Sequence, residues 1–207
     1  RAVFNQIMKC SGFQQDPATN VSLQSIMSAV KSMLIAVGEN PEREGLKNTP
    51  IRVGEFYLDF FSGLNEDPTM ELTTDFDENH FEPVIVTNIE FFSICEHHLL
   101  PFVGYAHLGY IPNGKVVGVS KLVRVLDIFS RRPQIQERLA DQVVDTIHKQ
   151  LGSNATYLFL SAEHMCMTLR GVRKSGSHIV TSSERGDKAG LELIKTGISI
   201  DALKGSE

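Results

Sequence analysis

No stretch of this sequence approaches the roughly 18 consecutive apolar residues that a membrane span requires, and the opening RAVFNQIMKCSGF lacks the long apolar core of a secretion signal. A membrane-bound or exported protein is therefore not expected, and the expected location is cytoplasmic. Cysteine is scarce. Cys10, Cys95 and Cys166 are far apart and cannot form a disulfide framework without leaving one over, which favours thiolate chemistry in a reducing compartment. Excess positive charge is missing as well: the formal net charge is −5, and without a broad basic surface non-specific nucleic-acid binding is excluded as the main activity. There is no internal repeat, no low-complexity segment and no glycine-rich dinucleotide fingerprint.

What is present is a chain of 207 residues, 42% hydrophobic and 22% charged, enough for one sizeable core in one domain or two. From Ser22 to about Val37, Ile26, Val30, Met33 and Leu34 recur at helical spacing, with Gly38 as the stop. After the turn-forming NPEREGLKNTP, the string IRVGEFYLDFFSGL predicts a second helix ending near Gly63. The acidic stretch Asn65 to Glu82 has no clean period and reads as a connecting arm. PVIVTNIEFFSI is rich in β-branched and aromatic residues, and FVGYAHLGYIPNGKVVGVS holds two strand-like runs around Asn113-Gly114, a hairpin signal. KLVRVLDIFS and QERLADQVVDTIHKQL predict helices, the second with Leu139, Val143, Ile147 and Leu151 in one apolar stripe. A last long strand, ATYLFLSAEHMCMTLRGV, leads to HIVTSS and a polar tail with one short helix. The fold class is α+β, an N-terminal helical part followed by an antiparallel sheet backed by helices. The expected divisions are 1–80 (helical region and arm), 81–183 (core) and 184–207 (tail).

The chemistry concentrates in SICEHHLLPFVGY, where Cys95, Glu96, His97 and His98 are consecutive. Thiolate and imidazole are preferred zinc ligands, and Cys-x-x-His spacing lets Cys95 and His98 reach one ion from a tight turn. Strand alternation in the last long run predicts Ala162, His164, Cys166, Thr168 and Arg170 on one face, an odd set for a sheet that buries apolar side chains. The competing reading makes Cys166 a small buried hydrophobe and His164 a hydrogen-bonded core histidine. Taken as ligands, Cys95, His98 and Cys166 are three, which leaves a position for water, as catalytic zinc sites do and closed structural ones do not. Water on such an ion has its pKa lowered to about 7, and His97 and His164 lie beside the ligands as proton carriers, which points to hydrolysis. Basic residues at Lys115, Lys121, Arg124, Arg131, Arg132, Arg170, Arg173 and Lys174 suggest a small anionic ligand; the plainer alternative is solvated surface charge.

Three strings, CEHHLLPFVGYAHLGYIP, GVSKLVRVLDIFSRRPQIQERLADQV and EHMCMTLRGVRKSGSHIVTS, resemble GTP cyclohydrolase I in order and spacing over roughly Ile94 to Ser182, and NTPIRVGEFYLDFFSGL is similar to that family's N-terminal part. The resemblance implies the tunnelling fold and a homodecamer of two stacked pentamers with active sites between subunits. It also implies the conversion of GTP and water to 7,8-dihydroneopterin triphosphate and formate. By motif position it implies zinc on Cys95, His98 and Cys166, and proton transfer by His97 and His164. Glu137 and Gln136 would bind the guanine, where a carboxylate accepts from both N1–H and the 2-amino group. Ser120, Lys121, Arg124, Arg170 and Arg52 would hold the triphosphate.

The sequence departs from the family pattern at Glu55, where a lysine is usual, at Pro133, and in the tail after Ser183. Two rivals remain open. The nitrile reductase of queuosine biosynthesis shares the fold class but needs a nicotinamide cofactor; a zinc-stabilised interaction module predicts a fourth protein ligand and no use for Glu137 or Arg170.

Overall fold

The structure is a computed structural model that describes residues 17–204; Cys10 lies outside the described residues. The chain divides into two compact units after Phe60. The first holds helices α1 (Pro17–Ala36) and α2 (Thr49–Phe60), packed on each other, with Val30 and Phe60 buried. None of the described helices is long and apolar enough to cross a membrane.

The second unit begins with two short 3₁₀ turns, Ser62–Asn65 and Pro68–Leu72, then β1 (Asp75–His80), β2 (Val84–Cys95), β3 (Leu100–Ile111) and β4 (Gly114–Val117). Helix α3 (Val119–Ser130), the two-residue β5 (Pro133–Gln134), helix α4 (Gln136–Leu151), β6 (Ala155–His164), the single turn α5 (Met165–Thr168), β7 (His178–Gly186) and helix α6 (Lys188–Lys204) follow. The main sheet has the order β5-β2-β3-β6-β7, antiparallel except that β5 pairs parallel to β2 at Ile94 and Cys95.

Period-two burial explains the sheet's two faces. Phe91, Phe102, Ala106, Leu108, Tyr110, Leu158, Leu160 and Ala162 are buried, and with the α3 and α4 residues Leu122, Val125, Leu126, Leu139, Val143, Val144 and Ile147 they form the main core. Each fully buried aliphatic side chain there stabilises by about 1.5–3 kcal/mol. Leu151, the last member of the α4 stripe, is only partly buried against it, and Gly152 ends the helix in the left-handed conformation with its N–H on His148 O. On the other face α6 covers one end of the sheet through Leu191 and Ile194 over Ile111 and Ala155. Gly109 permits this, because a Cβ there would meet Ile194 Cγ2 at 2.4 Å. Elsewhere on that face Tyr105 is 48%, Val103 46% and Val180 57% exposed.

Four local expectations are corrected. The turn at Asn113-Gly114 forms, with Gly114 at φ +89°, but its two arms do not pair; β4 pairs with β1 instead, so that the arm after Asn65, expected to be irregular, supplies two 3₁₀ turns and a strand. Pairing with a distant strand here overrides the local turn signal. The last long strand stops at His164, and Cys166 sits on the following helical turn; face alternation therefore does not carry from His164 to Cys166 and Arg170. The tail holds a helix of 17 residues rather than a short one.

Candidate metal and catalytic site

Cys95, His97, His98, His164, Cys166 and Arg170 gather at one end of the sheet. β2 terminates at Cys95, and the chain reverses through Glu96–Leu99, with Leu99 N–H on Cys95 O at 2.9 Å and Leu99 itself at φ +51°, before β3 begins. This tight turn presents His97 and His98 to solvent beside the buried Cys95. β6 ends at His164 in register with Phe102, and the α5 turn then lifts Cys166 toward Cys95. Donor atoms of Cys95, His98 and Cys166 lie within 4.8 Å of one another, with His98 Nδ1 4.0 Å from Cys95 Sγ. Arg170 reaches the same group, its Nη1 meeting His98 Nε2.

This donor set fits a thiophilic divalent cation. Burial pushes the Cys166 thiol up, and Cys95 beside it pushes in the same direction, since two thiolates so close repel. A cation between them removes that penalty, and two sulfurs with one imidazole are soft and borderline donors suited to zinc.

His97 has Nδ1 3.9 Å from Cys95 Sγ and Nε2 3.9 Å from Glu96 Oε1. Glu96 is in turn clamped by both terminal nitrogens of Arg138, at 2.5 and 3.0 Å, which holds its carboxyl below the usual range. Sequence reasoning did not identify this clamp: the partners are 42 positions apart, and nothing periodic links them. His164 is buried, with 7% exposure, stacked on Phe102 at 4.4 Å and 4° between planes, and bonded through Nε2 to Gln136 Oε1 at 2.8 Å. Burial lowers its pKa, partly opposed by the nearby Glu137 carboxylate.

α4 starts at this same end. Its first residue, Gln136, is buried at 1% exposure and faces the sheet, while Glu137 and Arg138 are exposed. Glu137 enters no ion pair among the described residues, because the neighbouring Arg138 is turned to Glu96. An exposed carboxylate within electrostatic reach of His164 can accept two hydrogen bonds from a purine edge.

The expected phosphate residues are not all in this cluster. Ser120, Lys121 and Arg124 lie toward the N-terminal end of α3, whose far end leads into β5 beside Cys95; at about 1.5 Å per residue Lys121 is about 13 Å along the axis from Ser130. There Lys121 and Arg124 share Glu71 of the second 3₁₀ turn, at 3.0 and 3.4 Å, and the Lys121 bond holds the Glu71 carboxyl below its usual value. Glu66, Glu71, Arg124, Asp127, Ile128 and Arg131 line a cavity of about 240 Å³ at this place. Sequence reading missed Glu71, which lay in the stretch taken for an arm. Arg52 is exposed on α2, in the first unit.

Residues 26–191 match the model of the GTP cyclohydrolase I family. The chain is similar to a protein named GTP cyclohydrolase 1 from Dehalococcoides mccartyi, 52% identical over 79% of this chain and 87% of that one. It is 57% identical to one from Pelotomaculum thermopropionicum over 78% of this chain and 86% of the relative, and 50% identical to one from Streptococcus agalactiae over 79% and 88%. A solved archaeosine synthase QueF-Like, in the apo form, aligns at TM-score 0.41 and 14% identity over 51% of this chain and 95% of its own, a likeness too slight to bear on function.

Proposed function

The chain belongs to the GTP cyclohydrolase I family, and on that premise we propose how its residues divide the work of the reaction. It is an enzyme with the tunnelling fold of that family, and it converts GTP to dihydroneopterin triphosphate, the first step of pteridine biosynthesis. The balance is one GTP and one water in, one dihydroneopterin triphosphate and one formate out: C8 of the purine leaves as formate, and ribose carbons close the new ring.

The observation that carries the assignment of roles is the convergence of two thiols and an imidazole with His164 and Glu137 at one end of the sheet. Cys95, His98 and Cys166 would hold zinc, which would supply Lewis acidity for the activation of water. Glu137 accepts from guanine N1–H and the 2-amino group and thereby excludes adenine. His164 and exposed His97 move protons at the purine N7, the ribose oxygen and the departing formyl group. Arg170, next to His98, with Ser120, Lys121, Arg124 and Arg52, binds the triphosphate.

Assembly completes the site in this reading. A homodecamer, with active sites between subunits, brings a neighbouring α3 and its Lys121 and Arg124 to the metal end of the next chain. Support comes from the exposed apolar side chains Val103, Tyr105 and Val180 on one sheet face and from β7 as an edge strand among the described residues. The enzyme works in the cytoplasm, where GTP is available and thiols stay reduced.

Incubation with GTP, with and without a chelator, tests this reading. Formate and dihydroneopterin triphosphate should form together, vanish on chelation and return with zinc. Neither product from metal-loaded, assembled protein would overturn it.

A further inference from the structure

Gln136 is 1% exposed, and every polar atom of its amide is spent inside the protein. Its Nε2 donates to Leu160 O at 3.3 Å, Ile179 O at 3.0 Å and Thr181 Oγ1 at 3.1 Å. Backbone carbonyls only accept, so two of these three partners require the NH₂ end of the amide to face β6 and β7. The amide orientation is therefore fixed, and Oε1 is the atom left for His164. An amide oxygen also only accepts, so His164 Nε2, at 2.8 Å, must carry a hydrogen. In the neutral ring that leaves Nδ1 as the lone pair.

From this chain of donors and acceptors we infer that Gln136 is a positioning residue: its amide oxygen holds a hydrogen on His164 Nε2 and fixes the ring, with Nδ1 as the nitrogen left to act. Phe102, stacked at 4.4 Å on the imidazole, removes the remaining freedom of the ring plane. The device also ties the start of α4 to both β6 and β7, so Glu137 and the His164 ring are set by the same amide. Gln136 is buried with both N–H groups turned to β6 and β7 and its oxygen on His164, and its effect on turnover passes through His164. The inference rests on the reading of His164 as a proton carrier, and it deepens that reading by naming the reactive nitrogen.

The test is nitrogen-15 solid-state NMR of the zinc-loaded, assembled protein with labelled histidine, with the His164 signals assigned by difference from a His164→Asn sample. The expected spectrum at alkaline pH shows a protonated Nε2 and an unprotonated Nδ1; the reverse pattern overturns the inference without any variant that must fold. Gln136→Leu should keep zinc and KM for GTP within about twofold while kcat falls about 10- to 100-fold, the usual cost of losing a residue that orients a reactive imidazole. A raised KM at unchanged kcat would instead make Gln136 a substrate contact and overturn the inference. Failure of the underlying reading has a separate signature: His164→Ala would turn over at the parent rate, whatever the tautomer.

Discussion

Cys166 shows how much one side chain can decide. It is one of three donors within 4.8 Å, and a three-ligand site has none to spare. Cys166→Ala is expected to lose bound zinc and activity together, measured by metal analysis beside the formate assay; full retention of metal would contradict its place in the site. Glu137 offers a different separation, because its carboxylate is exposed and outside the donor group. Replacing it with Gln swaps one acceptor oxygen for a donor that faces guanine donors, so kcat/KM for GTP should drop about 100-fold or more while zinc content stays the same. Equal GTP affinity in that variant would remove Glu137 from guanine recognition. Cys166 stands out in the sequence because a thiol is unusual in a run that buries apolar side chains, whereas Glu137 is implied only by the family resemblance. Glu96–Arg138 and Gln136–His164 do not stand out, since partners 42 and 28 positions apart leave no local trace.

Among the elements, the second 3₁₀ turn, Pro68–Leu72, has the least expected role. Asp67 caps it by accepting from Thr69 N–H, and the turn delivers Glu71 to Lys121 and Arg124 on α3. In the proposed reading those cations must leave Glu71 when a triphosphate arrives, so the carboxylate competes with substrate. Glu71→Gln is then expected to lower KM for GTP by up to about fivefold, as a partly exposed ion pair contributes about 0.2–1 kcal/mol. A KM that rises in steady-state assays would show that Glu71 orients the cations rather than competing for them. Helices were legible from apolar spacing, α4 above all, because Leu139, Val143 and Ile147 alternate with polar residues at the helical period. Strand ends were not. His164 closes an unbroken run of β-compatible residues, yet the strand ends there and Cys166 lies on the helical turn that follows.

At the scale of the whole molecule, burial lowers the pKa of His107 and of His148 below the ordinary 6.5, with Arg185 adding to the effect at His148. For a base with a depressed folded value, the unfolded chain binds the proton first as pH falls, so stability fully present above about pH 6.5 is lost on acidification toward the folded values. Thermal midpoints at fixed zinc should therefore decline from pH 7.5 to 5.5, and His107→Gln combined with His148→Gln should flatten that slope. An unchanged slope would assign the acid sensitivity elsewhere. Assembly is open to an equally direct check: Tyr105→Glu places a charge among the exposed apolar side chains of one sheet face and should reduce the mass found by sedimentation velocity, while an unaltered oligomer would clear that face of the role.

The sequence by itself determined the ligand types, the helix stripes and the family, because each is written in residues close together: Cys95 to His98 in one turn, Leu139 to Ile147 on one helix face, and long motifs in unbroken order. Only the tertiary structure decided which distant residues meet. It set Arg170 against His98 across 72 positions, took β4 from its neighbour β3 to β1, and placed Lys121 and Arg124 on Glu71, away from the metal group. The reason is physical. Local spacing fixes which face a side chain occupies, but the pairing of faces follows from burying one shared core, and that is settled by the whole chain at once.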